Sequence, residues 1–230
     1  MQYDIITMKA KQKLNSGKKM DRGFFITIEG TDGSGKTTQI NLIKQYLINK
    51  GFEVIFIREP GGTEISEKIR LMLLDNENKK MHKKTEMLLY ASARAQLVAE
   101  IIKPALNEGK IIICDRFVDS SYAYQGFGRD IGLEEVIKAN ESAIGNVMPD
   151  VTFFFDISPE EALKRKTSNV VVDRIENEDL EFHKKVYQGY KELAMLYPER
   201  IVEISASRSV DDVFDDVKEF LDKKLEAKRH

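Results

Sequence analysis

Apolar residues along the chain fall into short continuous runs and into longer segments with helical spacing. The runs are rich in Val, Ile and Phe, which is typical of buried strands, and they span residues 24–29, 53–57, 111–115, 151–156 and 201–205. In the longer segments apolar side chains recur three and four residues apart, which predicts helices over residues 37–50, 64–74, 85–107, 133–144, 159–166, 179–196 and 209–224. Strands that alternate with helices predict an α/β fold, with a five-stranded parallel sheet and helices on both faces.

The segment between the first predicted strand and the first predicted helix matches the pattern GxxxxGK[ST] at every fixed position. In this context the motif binds phosphate, because its glycines let consecutive backbone N–H groups point at one anion and the helix N-terminus attracts negative charge. Lys36 would reach the β- and γ-phosphates, and the Thr37 hydroxyl would bind Mg²⁺. An ordinary glycine-rich turn is the alternative interpretation. The predicted nucleotide-binding residues are Gly30, Thr31, Asp32, Gly33, Ser34, Gly35, Lys36, Thr37 and Thr38.

Length, charge and cysteine content limit the class of protein. A chain of 230 residues with 42% hydrophobic residues suits one α/β domain, which we place at residues 23–230. The formal net charge of −2 provides no field for a polyanion, so no nucleic-acid partner is expected. The single cysteine, Cys114, fits a reducing compartment, and no apolar stretch reaches the length of a membrane span. We therefore expect a cytoplasmic protein with no membrane partner.

Residues 1–22 differ in composition from the rest of the chain. They contain several basic side chains and little apolar periodicity, and the basic residues are Lys9, Lys11, Lys13, Lys18, Lys19 and Arg22. This pattern predicts a flexible, solvated extension. A targeting or docking arm is the alternative, and we assign no function to the segment.

A second group of polar residues follows the third predicted strand. Asp115 ends the apolar run and has the position of a carboxylate that holds Mg²⁺ beside the phosphate loop. Arg116 follows it with a planar cation suited to bidentate phosphate binding, which indicates a second phosphate group. A solvated ion pair at the end of a strand is the alternative interpretation.

Further residues suited to recognition of a nucleobase lie at two other places. Arg58 ends the second predicted strand and precedes Pro60 and two glycines, so its loop can approach a ligand closely. Tyr90 and Arg94 are four residues apart on a predicted helix, where an aromatic ring and a guanidinium can bind one base. A core tyrosine with a surface arginine is the alternative. Residues 119–126 add hydroxyl, aromatic and amide groups.

In these motifs the chain resembles the bacterial thymidylate kinases, a family of P-loop nucleoside monophosphate kinases. The resemblance extends from about residue 23 to the last predicted helix, and its motifs are residues 29–39, 58–63, 88–94, 115–117, 120–126, 173–176 and 182–183. It implies a P-loop kinase fold with a short lid at residues 166–176. It also implies a homodimer that transfers the γ-phosphoryl group of ATP to thymidine monophosphate (dTMP), with Mg²⁺ as cofactor, in dTTP synthesis.

The resemblance also implies roles for individual residues. Asp32 matches the acidic loop position that contacts the acceptor sugar, and Arg58 and Arg116 match arginines around the acceptor phosphate. Tyr90 matches the aromatic residue that stacks on thymine, and Arg94 matches the cation that hydrogen-bonds it. Pro60 matches a proline that is often cis. The wall around the base and sugar corresponds to Ser120, Ser121, Tyr124 and Gln125.

The lid departs from the family pattern. Bacterial lids commonly carry an additional arginine in the middle, whereas residues 167–172 contain none. The remaining cations are Arg165, Lys166 and Arg174. We assign Arg165 as the lid cation that acts in catalysis with Lys36, Asp32 and Arg116, and Arg174 as a contact to the ATP phosphates. The adenine would lie near residues 205–208.

Three alternative functions share the phosphate loop. A kinase of another nucleoside monophosphate would share the loop and fold but read a different base. A regulatory nucleotide-binding module, such as a switch GTPase, needs NKxD and DxxG motifs, and the sequence contains neither outside the phosphate loop. A structural protein with a vestigial loop conflicts with the joint presence of Lys36, Thr37, Asp115 and Arg116.

Overall fold

The computed structural model describes residue 20, residues 22–165 and residues 172–227. Most of the predicted basic extension, and residues 166–171 of the predicted lid with Lys166, therefore lie outside the described residues. A five-stranded sheet runs through the described part in the order β2-β3-β1-β4-β5, and all of its neighbouring strands are parallel. The strands are β1 (Phe24–Glu29), β2 (Val54–Arg58), β3 (Ile111–Asp115), β4 (Val151–Asp156) and β5 (Ile201–Ser205). The predicted strands are confirmed, with β2 shifted by one residue.

The predicted helices are also present, and most ends agree within two residues. They are α1 (Lys36–Asn49), α2 (Glu64–Leu74), α3 (Lys83–Leu97), α4 (Lys103–Asn107), α5 (Val118–Ser121), α6 (Leu133–Ile144), α7 (Pro159–Arg165), α8 (Leu180–Leu196) and α9 (Val210–Ala227). A π-helical segment, Val98–Ile102, joins α3 to α4 just before Pro104, which has no N–H to donate. No helix was predicted for residues 118–128, where α5 continues into a second π-helical segment, Tyr122–Gly128.

Helices cover both faces of the sheet, as predicted. Alternate side chains of β1 point to opposite faces, so Phe24, Ile26 and Ile28 pack on one side with α1 and α9. Phe25 packs on the other side, in the core formed with α3, α5 and α8. Glu29 shares the parity of Phe25. Its carboxylate therefore lies under the loops at the carboxyl end of the sheet on that second side.

The second π-helical segment packs closely against α8 because glycines replace larger side chains at the contact. A Cβ atom at Gly189 would lie 2.8 Å from the ring of Phe127, and one at Gly128 would lie 2.8 Å from both Phe182 and Val186. This close approach brings Tyr190 of α8 next to Tyr124, with the ring centroids 6.4 Å apart. The packing thus positions Tyr124, which borders the cavity described below.

Gly189→Ala should lower the free energy of unfolding by up to about 2 kcal/mol. Alanine normally favours a helix interior over glycine by about 1 kcal/mol, but overpacking against the base of the Phe127 ring costs about 1–3 kcal/mol. Urea unfolding of the variant measures the difference. Gln188→Ala, at the neighbouring exposed position of α8, is the control and should leave stability within about 0.5 kcal/mol. A more stable Gly189→Ala protein would contradict the close packing.

In a parallel sheet the carboxyl ends of all strands lie at one edge. The loops after β1, β2 and β3 therefore converge, although they are far apart in the sequence.

In the part of the chain that the structure describes, no helix is long and apolar enough to cross a membrane.

Candidate active site

A cavity of about 440 Å³ opens at the edge where the loops after β1, β2 and β3 meet. It brings together residues from three strand ends, α3 and the segment after α5. Most of the residues predicted from sequence line it: Asp32, Gly33, Gly35, Lys36, Thr37, Thr38, Arg58, Pro60, Tyr90, Arg94, Asp115, Arg116, Ser120, Ser121, Tyr124 and Gln125. Arg70, Asp173 and Glu176 also line it and were not assigned from sequence. Five predicted residues among those that the structure describes do not line this cavity: Gly30, Thr31, Ser34, Arg165 and Arg174.

The phosphate loop has the open backbone that its glycines predict. Gly30, Gly33 and Gly35 have φ angles of 139°, 92° and 87°, which side chains rarely tolerate. At Gly33 a Cβ atom would also lie 2.4 Å from the carbonyl oxygen of Ala162 in α7. Gly30 borders Phe155 and the Ser34 hydroxyl in the same way, and Thr31 and Ser34 are buried beneath the loop. The loop therefore lies directly on α7 and β4.

Lys36 is held at the base of this loop. Its Nζ donates hydrogen bonds to the carbonyl oxygens of Gly30 at 3.0 Å and Thr31 at 2.9 Å, and it lies 3.5 Å from Asp32 Oδ1. Burial lowers the pKa of Lys36, and the positive charge of Arg116 lowers it further, whereas Asp32 opposes the shift. The ammonium is thus poorly solvated and held at the base of the loop by two carbonyl oxygens.

Arg116 reaches the same acidic residue from the other side. Its Nη2 donates to Asp32 Oδ1 at 2.8 Å, its Nη1 donates to Ser120 Oγ at 3.3 Å, and its guanidinium lies 5.3 Å from the Tyr124 ring centroid. Burial opposes the charged form, but Tyr124 and Asp32 outweigh it and hold the pKa of Arg116 well above its usual value. Asp32 thereby links the cation of the phosphate loop to a second cation across the cavity.

Asp115 is a suitable ligand for a metal ion bound with the phosphates. Its Oδ1 is buried and has no hydrogen-bond partner among the described residues. Asp115 and Thr37 both line the cavity. An oxygen left without a partner in a buried site needs an explanation, and carboxylate and hydroxyl oxygens are the ligands that Mg²⁺ prefers. The residues present therefore fit the magnesium site predicted from sequence.

Two arginines meet at the loop after β2. The peptide bond before Pro60 is cis, as the resemblance implied. Arg58 Nη1 donates to the Pro60 carbonyl at 2.7 Å, and Arg70 Nη1 donates to the same oxygen at 3.0 Å. Burial lowers the pKa of Arg70, and the charge of Arg58 adds to this effect. Arg70 was missed in the sequence, because its contact with the Pro60 carbonyl appears only in the folded structure.

Tyr90 and Arg94 both lie in the cavity wall, so the alternative of a surface arginine is wrong. Arg94 is only 1% exposed. Its Nε donates to Glu59 at 2.8 Å and its Nη1 to Ser121 Oγ at 3.0 Å, and it also contacts Asn140 and the Phe117 carbonyl. Burial raises the pKa of Tyr90, which keeps its hydroxyl protonated. Arg94 therefore holds the wall of the cavity together in addition to bordering it.

A buried carboxylate beside the cavity binds Arg174, which we assigned as a contact to the ATP phosphates. Glu86 of α3 is 1% exposed and accepts hydrogen bonds from Gln125 Nε2 at 3.0 Å and from Arg129 at 3.0 Å. Arg174 Nη1 lies 2.8 Å from Glu86 Oε2, and its Nε donates to the Leu73 carbonyl at 2.9 Å. Arg174 is thus neutralised and engaged inside the protein. A contact with the ATP phosphates would require Arg174 to leave Glu86.

Arg165 also lies elsewhere than expected. Its Nη1 donates to the carbonyl oxygen of Ala206 at 2.9 Å, and its Nη2 pairs with Glu161 at 2.7 Å. Ala206 belongs to the turn after β5, which we predicted to lie near the adenine. In this arrangement Arg165 supports that turn, because its guanidinium is bound there and not at the cavity.

Glu29 is a buried acidic residue at the start of the phosphate loop for which no role was predicted. Burial raises the pKa of Glu29 to about 7, and Asp119 adds to the shift, while Arg116, Ser120 and Tyr190 oppose it. A folded-state pKa above the ordinary value of 4.5 means that the folded protein binds the proton more tightly than the unfolded chain does. The carboxyl group therefore destabilises the fold as the pH rises from about 4.5 to about 7.

This shift predicts a pH-dependent difference between the protein and Glu29→Gln, which cannot ionise. From about pH 4.5 to above about pH 7 the free energy of unfolding of the unmodified protein should fall by about 3 kcal/mol relative to the variant. Urea unfolding of both proteins at several pH values measures the difference, and other groups largely cancel. A difference that stays constant with pH would mean that Glu29 has an ordinary pKa.

A parallel sheet with a phosphate-binding loop, and a cavity that extends from that loop to a second group of arginines and an aromatic residue, define a P-loop nucleotide kinase. The family model for thymidylate kinase matches residues 28–217. The chain belongs to the thymidylate kinase family.

Individual relatives agree with this family. A thymidylate kinase of Clostridium novyi (strain NT) is 51% identical over 204 residues, which cover 88% of this chain and all of the relative. One from Finegoldia magna is 55% identical over 191 residues, covering 83% of this chain and 93% of the relative. A crystal structure of thymidylate kinase from Ehrlichia chaffeensis aligns with a TM-score of 0.71 at 35% identity, covering 87% of this chain and 99% of that one.

Proposed function

We infer that this protein transfers the γ-phosphoryl group of ATP to thymidine monophosphate and forms thymidine diphosphate and ADP. The observation that carries the inference is the contact of Asp32 with both Lys36 and Arg116, because it joins a nucleotide-phosphate loop to a second anion site in one cavity. Family membership supplies the activity and the donor. Residues 23–230 would form one kinase domain, with a lid at residues 166–176.

Lys36, Gly33 and Gly35 are proposed to hold the donor phosphates. Backbone N–H groups of the loop bind phosphate oxygens, and Lys36 Nζ leaves its loop carbonyls for the β- and γ-phosphates. Thr37 and Asp115 would hold Mg²⁺, which when bound neutralises charge on those phosphates. The rest of the loop, Gly30, Thr31, Ser34 and Thr38, shapes the cradle.

Arg116 and Arg58 are proposed to bind the acceptor phosphate, and Arg70 joins them from α2. Tyr90 would stack on the base, and Arg94 would hydrogen-bond it. Pro60, Ser120, Ser121, Tyr124 and Gln125 border the same space and would form the wall of this subsite.

Transfer then depends on alignment and charge. Negative charge spreads over the oxygens of the moving phosphoryl group, and preorganised cations stabilise it without a strong base. Lys36 and Arg116 supply those cations, and both contact the carboxylate of Asp32. Asp32 would also contact the acceptor sugar.

ADP formation from MgATP with a panel of nucleoside monophosphates tests the proposal. Turnover that requires Lys36 and occurs chiefly with dTMP supports it. Turnover chiefly with a guanine or adenine nucleotide would mean that the protein is a nucleoside monophosphate kinase but that Tyr90 and Arg94 do not bind thymine. Absence of acceptor-dependent turnover would favour the regulatory nucleotide-binding module.

Arg165→Ala should raise the KM for ATP by about threefold to tenfold and leave kcat and the KM for dTMP nearly unchanged. The reason is that Arg165 holds the turn at Ala206 through one charge-assisted hydrogen bond, which is worth about 1 kcal/mol when partly exposed. Initial rates with each substrate varied in turn provide the measurement. A large loss of kcat with an unchanged KM for ATP would restore Arg165 to the role of lid cation.

Assembly and location are also proposals. Exposed apolar side chains on α2 and α3, namely Leu71, Met72 and Leu88, suit a homodimer interface. Light scattering of the purified protein gives its mass in solution. A buried, unpaired thiol at Cys114 and the ATP donor fit the cytoplasm.

A further inference from the structure

Glu29 ends β1, directly before the phosphate loop, and its side chain is fully buried. It does not line the cavity formed by the described residues, so it does not bind substrate directly. Its carboxylate lies beneath the turn that follows β3, and that turn carries Arg116. The contacts of the two carboxylate oxygens show what this group does.

The Glu29 carboxylate binds both ends of a short stretch of chain. Oε1 accepts a hydrogen bond from the backbone N–H of Phe117 at 2.7 Å. Oε2 accepts hydrogen bonds from the hydroxyl of Ser120 at 2.6 Å and from the hydroxyl of Tyr190 at 2.8 Å. One buried carboxyl group thus ties residues 117–120 to α8.

Arg116 needs this support because its backbone is unfavourable by itself. Its φ angle is 68°, in the left-handed region that residues other than glycine rarely adopt, at a cost of order 1–3 kcal/mol. Its own N–H donates to the Ile28 carbonyl at 2.9 Å, one residue before Glu29. The next N–H, at Phe117, is the one that Glu29 binds.

The side chain of Arg116 depends on the same carboxylate. Arg116 Nη1 donates to Ser120 Oγ at 3.3 Å, and the hydrogen of that hydroxyl is directed at Glu29. The Tyr190 hydroxyl lies 2.9 Å from Ser120 Oγ and 3.4 Å from Arg116 Nη1. Glu29 therefore orients the two hydroxyl oxygens on which the guanidinium rests.

We propose that Glu29 is a positioning residue that fixes the backbone and the guanidinium of Arg116, through Phe117, Ser120 and Tyr190, in the orientation that binds the acceptor phosphate. The inference rests on the proposed function, since it concerns the same acceptor site. It assigns a role to a residue that touches neither nucleotide.

The test compares Glu29→Gln with Thr27→Val. Thr27 lies two residues earlier on the same face of β1, is fully buried, and has its hydroxyl 2.7 Å from that of Thr152. Glu29→Gln should lower kcat/KM for dTMP by about tenfold to 10²-fold, with the KM for ATP changed by less than about threefold. Thr27→Val should lower the thermal midpoint and leave both KM values unchanged.

A double-mutant cycle with Arg116→Lys separates positioning from a merely structural role. If Glu29 acts through Arg116, the Glu29→Gln change should cost less than about threefold in kcat/KM for dTMP once Arg116 is already Lys. Equal losses in the two backgrounds, or a Glu29→Gln protein with unchanged kinetics, would overturn the proposal.

If Glu29→Gln does not fold, Tyr190→Phe takes its place in the cycle. That change removes one hydrogen bond to the carboxylate and should lower kcat/KM for dTMP by about twofold to tenfold, again only where Arg116 is present. A loss of the same size in the Arg116→Lys background would refute the proposal. The proposed function is tested by a different result. It fails if the unmodified protein forms no ADP in response to dTMP, whatever the variants show.

Discussion

Lys36→Met should reduce kcat for dTMP phosphorylation by about 10²-fold to 10³-fold, with little change in the KM for dTMP. Methionine keeps the length and apolar character of the side chain but removes the cation that faces the transferring phosphoryl group. The KM for dTMP should change little because Asp32 retains its 2.8 Å contact with Arg116. Steady-state rates of ADP formation at saturating MgATP measure both constants.

Lys44→Met is the matched control, since Lys44 lies on the same helix and is exposed. It should leave kcat within about twofold of the unmodified protein. Circular dichroism of both variants shows whether the fold is retained. If folded Lys36→Met keeps kcat within tenfold, the lysine does not stabilise the transferring group and the phosphate loop only binds nucleotide.

Arg116→Lys should lower kcat/KM for dTMP by about 10²-fold, while the KM for ATP changes by less than about threefold. Lysine keeps the charge, but its ammonium cannot contact Asp32 and the Ser120 hydroxyl while binding a phosphate through two parallel N–H groups. Loss of one or two charge-assisted hydrogen bonds, at about 1.5–3 kcal/mol each, gives an effect of this size. Rates with dTMP varied at saturating MgATP provide the measurement.

Arg22→Lys is the control for the substitution itself, because Arg22 is exposed and lies before β1. Its kinetics should match those of the unmodified protein. A loss in Arg116→Lys that appears mainly in the KM for ATP would place Arg116 on the donor side. The acceptor phosphate would then have to depend on Arg58 and Arg70.

Residues that are neighbours in the sequence lie together in the structure, as predicted. Lys36 and Thr37 are fixed by the eight-residue loop, and Asp115 and Arg116 follow a buried strand, so local spacing was enough to place them at one edge of the sheet. The position of Arg174 could not be predicted for the opposite reason. Its partner Glu86 lies 88 positions away on α3, and the sequence gives no sign that the two meet.

The segment from residue 118 to residue 128 shows a second limit. Its hydroxyl, amide and aromatic groups were recognised as wall residues, and Ser120, Ser121, Tyr124 and Gln125 do border the cavity. Its helical and π-helical conformation was not predicted, because a mixture of polar and aromatic residues has no clean apolar stripe. The structure explains the conformation through close packing on α8 at Gly128 and Gly189.

The sequence by itself determined the sheet, its helices, the phosphate loop and the family, because each depends on residues whose order and spacing along the chain are sufficient. The tertiary structure alone decided which charged groups neutralise one another. The reason is burial: a charged group removed from water needs a partner, and only the fold determines which partner lies next to it. Arg174 is therefore bound to Glu86, Arg165 to the turn at Ala206, and Glu29 to the turn that holds Arg116.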